Sequence, residues 1–159
     1  MTGKYSVPLF MGCCIAVVAG LLVQCYMVNQ FHCMIARIIY VSPLLIAIVL
    51  GIRRSRWAKW VALPGFPPWV IVAAVMWDTW IHREDSIGFS LGVPYFDLAS
   101  TSEIVLITSV AVVALAGFVI AFVVKSGVPL WQALIVVAAA TALEFGADKF
   151  VHWARIGYI

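Results

Sequence analysis

Charge is scarce in this chain of 159 residues: ten Lys and Arg and seven Asp and Glu amount to 11% of it. Soluble proteins carry about 25%, so there is too little polar surface here to clothe a water-soluble particle. Cysteine is sparse as well, four residues in apolar surroundings, which excludes a disulfide framework as the organising principle. The chain has no Gly-rich phosphate loop, no Gly-x-Ser-x-Gly elbow, no Cys-x-x-Cys-His attachment site for c-type haem and no His-x-x-x-His cluster. Those absences argue against nucleotide hydrolysis and serine-hydrolase chemistry. A net charge of +3 does not call for nucleic acid, because the basic residues fall where membrane topology wants them.

What is there is apolar. Hydrophobic residues make up 65% and the mean hydropathy is +1.09. A membrane-crossing helix needs roughly 20 mostly apolar residues, and five windows approach that length: 8–28, 33–52, 66–82, 103–124 and 129–152. The expected fold is all-α, a single polytopic transmembrane domain over 1–159. The third window is short, and Pro64, Pro67 and Pro68 precede or open it, so a re-entrant segment is an alternative there. Ser100-Thr101-Ser102-Glu103 reads as a capping box for the fourth. The first apolar run is of full spanning length and lacks a cleavage site, so no secretory signal peptide is expected. The fourth span, with one small face through Ser109, Ala116 and Gly117 and otherwise large aliphatics, is expected to face lipid or a partner.

Alternating five spans collects Lys4, Arg53, Arg54, Arg56, Lys59 and Lys125 on one side, with no acid among them. The other side receives Arg37, Arg83, Lys149, Arg155 and all seven carboxylates. The excess of basic residues on cytoplasmic segments then places the N-terminus inside and the C-terminus outside, in a cell inner or plasma membrane.

Ionisable groups within spans cost about 2.5–3.5 kcal/mol each by insertion scales, which makes each a candidate functional group. The fifth span carries Glu144, Asp148 and His152 at steps of four, one stripe on a helix face. The third carries Asp78 and His82, again four apart. Asp78-Thr79-Trp80-Ile81-His82 and Asp148-Lys149-Phe150-Val151-His152 share a pattern: Asp, any residue, aromatic, β-branched aliphatic, His. The topology places both at the outward ends of their spans. Imidazole and carboxylate together bind iron, copper, zinc or manganese, and helix bundles build such sites from facing helices. The expected site is therefore a divalent transition metal held by Asp78, His82, Glu144, Asp148 and His152. Haem b between His82 and His152 ranks below it, because a hydrophobic macrocycle is not usually walled by acids. The same residues could instead conduct protons or ions. They could also be structural, with Asp148 paired to Lys149 or Arg155, Asp78 to Arg83, and Glu144 to Arg37.

Three short likenesses follow. Cys13-Cys14 in a first span resembles the pair of mercuric-ion transport proteins, although no second pair follows. The Asp-x-x-x-His pairs resemble the ligand pattern in the C subunit of copper membrane monooxygenases, which has a second His downstream of the pair; none lies between His82 and His152. The Asp148–His152 pentad resembles a motif of VanZ-like membrane proteins, where further helices follow. Each covers a few residues and places the chain in no family. Cys25 and Cys33, at the outer turn, are spaced for a possible bridge.

A chain this small has little room for a complete active site. The sequence reading is thus a small subunit of a membrane oxidoreductase or metal-handling complex. A small ion, proton or metal transporter, or a purely structural subunit, are the alternatives. Expected partners are the bilayer and other membrane subunits or further copies of the chain.

Overall fold

The computed structural model describes the backbone of residues 6–27, 38, 41–82, 101–125 and 127–156. Within that set it describes the side chains other than those of 6, 25–27, 79, 144, 145 and 147–156. All regular structure among the described residues is helical: α1 (Ser6–Met27), α2 (Ser42–Ile52), α3 (Ala58–Ala62), a 3-10 turn (Leu63–Gly65), α4 (Pro67–His82), α5 (Thr101–Val123) and α6 (Leu130–Ile156).

Three stretches are long and apolar enough to cross a membrane: Val7–Gln24, Ala58–His82 and Thr101–Val123. The second corrects an expectation. The Pro-rich stretch does not stop the chain, and the third span begins at Ala58 rather than at 66. Pro64 lies in the first turn of the 3-10 segment and Pro67 and Pro68 open α4. A proline in a first turn has no intrahelical acceptor to lose. Of the window 33–52, the described helix covers Ser42–Ile52, with Pro43 in its first turn. The helix of the fifth window runs four residues past its expected end, through Ile156. Residue 100, the capping position before α5, lies outside the described residues, as do Cys33 and Arg37.

The fourth span has two faces: Val105, Val112, Leu115, Val119 and Phe122 are exposed on one, as expected of a lipid- or partner-facing helix, and the other is buried. α5 is the central helix, packed against α1 and α4. It buries Ile104, Ile107, Val110, Ala111, Ala114, Gly117 and Ala121, the three-and-four spacing of a helical core stripe. Ser109 and Ala116 are exposed. The periphery belongs to α6, which leans on α2, α3 and the 3-10 turn. Ala133 is its one buried residue among the described side chains. Leu9, Ile71, Val112, Phe122 and Trp131 are each more than half exposed. An apolar exterior of that extent suits hydrocarbon rather than water.

Close approach holds the centre together. Phe66, fully buried, meets Phe10 edge to face with ring centroids 6.3 Å apart. A Cβ on Gly117 would stand 2.8 Å from the Phe66 ring and 3.0 Å from Cys13 Cβ. One on Gly20 would stand 2.5 Å from Val110 Cγ2. Missing side chains thus let α1, α5 and the turn before α4 touch. Cys13 and Cys14 are free thiols buried in this packing, a sufficient reason for small apolar residues there.

Gly117→Val should destabilise the chain by about 1–3 kcal/mol through overpacking. Gly12→Ala, where a Cβ meets nothing within 4 Å, should leave stability unchanged or slightly raised. Thermal midpoints in one detergent check both; equal midpoints for Gly117→Val and the parent chain would contradict the packing described.

Candidate functional site

Of the five expected metal-site residues, two have described side chains, and they meet. Asp78 and His82 lie one turn apart at the end of α4, with His82 Nδ1 3.1 Å from Asp78 Oδ1 and 3.3 Å from the Asp78 carbonyl oxygen. With its proton on Nδ1, the ring donates to these oxygens, and Nε2 is left with its lone pair. A carboxylate behind an imidazole in this way fixes the tautomer and the orientation of the ring. Asp78 is mostly covered, and the His82 side chain is 57% exposed.

The neighbouring residues hold this end of α4 against α5. Trp77 Nε1 donates to Thr108 Oγ1 at 2.7 Å, and the Thr108 hydroxyl donates to the Ile104 carbonyl at 2.6 Å. Trp80 packs edge-on against Trp77, ring centroids 5.5 Å apart. Sequence reading missed this anchor, since threonine in an apolar helix carries no distinctive spacing. It also missed Gln24, buried in α1.

Glu144, Asp148 and His152 lie on the unbroken α6, and Glu144 stands about 18 Å from the helix end. Their side chains lie outside the described residues, as do His32, Glu84, Asp85 and Asp97. Among the described residues no three His, Cys, Asp or Glu side chains come together as a metal cluster. What the described part supplies is one oriented imidazole with its carboxylate.

The opposite end is basic. Arg54, Arg56, Lys59 and Lys125 surround one cavity there, so four of the six cations that alternation assigned to one side do share an end. Lys59 is nearly buried, its Nζ donating to the Val124 carbonyl and lying 4.4 Å from the centroid of the Trp60 ring. α2 ends beside it with Ser55 N–H donating to Leu50 O and Arg54 N–H to Gly51 O. That pairing is a Schellman cap whose left-handed residue is normally glycine. Here it is Arg54, at φ 53°, a conformation that costs a side-chain-bearing residue roughly 1–2 kcal/mol.

Comparison with known proteins adds no relative: no family model, curated protein or solved structure matches the chain. The residues themselves carry the functional argument.

Thr108→Val keeps the shape of the side chain and removes the acceptor for Trp77. It should cost about 1 kcal/mol, seen as a lower thermal midpoint. No change would mean that the tryptophan is held by ring packing alone.

Proposed function

We propose that this chain is a small integral membrane subunit of an oxidoreductase or metal-handling complex. In this reading its basic end faces the cytoplasm, and its other end holds iron, copper, zinc or manganese. The observation that carries the proposal is the imidazole of His82 oriented by Asp78. Such an arrangement has a ready use as a metal ligand: Nε2 binds while Asp78 positions the ring.

α6 starts near the basic end and packs there against α2, α3 and the 3-10 turn, so in this reading its far end would have to approach the end of α4 to contribute. Glu144, Asp148 and His152 are then the further donors in this reading. Two carboxylates and Asp78 gathered in a low dielectric must take up protons or a cation, and a divalent ion meets that demand. The outer face of α6, almost wholly exposed, is the surface offered to other subunits or to further copies.

The test is metal analysis of the chain purified from membranes, followed by titration with Co(II). Near-stoichiometric metal is expected. His82→Ala and His152→Ala should each abolish most of it, and Asp78→Asn should weaken binding about 10–100-fold, the usual effect of losing an orienting carboxylate. Asp97→Asn should change nothing. A metal-free protein that Co(II) leaves unaltered would refute the metal reading.

Topology is tested separately. A reporter fused after Ile159 should read as extracytoplasmic and one inserted near Ser55 as cytoplasmic. The same side for both would overturn the assignment.

A further inference from the structure

The basic end contains more than topology requires. An excess of lysine and arginine outside a helix end orients a membrane protein wherever the side chains point. Here they line a cavity of about 750 Å³, within the range of small-molecule sites. Arg54, Arg56, Lys59 and Lys125 contribute four positive charges, and among the described residues no carboxylate lines it. Val7, Phe10 and Met11 of α1 give it an apolar side.

Two features point to a bound anion. Lys59 is only 8% exposed, so its charge has been taken out of water and is balanced in the protein by a carbonyl and a ring, not by an acid. Arg54 occupies a left-handed cap position where glycine would be unstrained, and strain of that kind is kept where a side chain is needed. The apolar wall decides between anions. A free phosphate has no use for Val7, Phe10 and Met11, whereas a phospholipid places its phosphate among the cations and the start of its acyl chains on α1. Beyond the cavity α1 continues apolar and exposed at Leu9 and Ile15.

We propose that the cavity between the start of α1, the end of α2, α3 and the α5–α6 turn binds the phosphate headgroup of an anionic phospholipid of the surrounding leaflet. Basic pockets between membrane helices are suited to such headgroups. The site is independent of the metal reading and uses none of its residues.

The experiment uses the full-length chain in mild detergent, with native mass spectrometry and thermal midpoints as readouts. Three probes are added in parallel: dioleoylphosphatidylglycerol, dioleoylphosphatidylcholine and inorganic phosphate. The expected result is a retained 1:1 phosphatidylglycerol adduct and a raised midpoint, with neither effect from the other two. Arg54→Gly and Arg56→Gln should each weaken the adduct about fivefold, the equivalent of one lost surface cation at roughly 1 kcal/mol. Arg54→Gly also relieves the cap, so the lipid-free chain should melt no lower than the parent and loss of lipid cannot be loss of fold. Arg53→Gln removes the same charge one residue away, outside the cavity lining, and should stay within about twofold of the parent. Equal retention of both lipids, or equal weakening by Arg53→Gln and Arg54→Gly, would overturn the proposal. An equal midpoint shift from inorganic phosphate would overturn its lipid half.

Discussion

The structure depends on how closely α5 approaches α1 and the turn before α4. Lipid is as apolar as leucine, so helices inside a bilayer gain little by burying apolar surface against one another. They associate through van der Waals contact, which requires backbones to come near. Gly20 against Val110 and Gly117 beneath the Phe66 ring supply that nearness. Phe66 matters twice: it fills the space left by Gly117, and it pins the joint between α3 and α4. With the joint held, Lys59 and His82 are kept at opposite ends of one nearly continuous helical segment.

The two ends are chemically unlike. At one, four cations ring a cavity that no carboxylate among the described residues lines; at the other, an aspartate holds a histidine ring in one orientation. Two local devices keep these ends in shape, the Trp77–Thr108 hydrogen bond at the histidine end and the strained cap at Arg54 at the basic one. Because α6 rests on α2, α3 and the 3-10 turn, its described surface beyond Ala133 is largely presented to the surroundings. A helix placed so is suited to complete a site or an assembly.

Much of the architecture was legible from composition alone. Apolar windows located the long helices but not the short one at Ala58–Ala62, because a bilayer demands long uninterrupted apolar stretches with their backbone hydrogen bonds satisfied internally. The errors arose where local rules compete with context. Prolines at 64, 67 and 68 read as a break, yet each falls in a first turn and the segment continues. The fourth span read as lipid- or partner-facing because its residues are mostly large aliphatics, and which of them are buried depends on the neighbours that reach them. The Asp78–His82 contact followed from a spacing of four on a helix, which brings side chains together whatever the tertiary structure.

Sequence by itself therefore determined the all-helical class, the approximate places of the long helices, and the pairing of Asp78 with His82. Each rests on a property of short range along the chain: hydropathy of a window or the 3.6-residue period. Only the tertiary structure decided that α5 is central and α6 peripheral, that Phe66 closes over Gly117, and that Lys59 is buried beside Val124. Those facts rest on contacts between residues far apart in the chain, such as Lys59 with Val124 and Gly20 with Val110, where no local pattern records which faces meet. The basic cavity belongs to the second group: its cations were visible in the sequence, but their convergence on one open cavity was not.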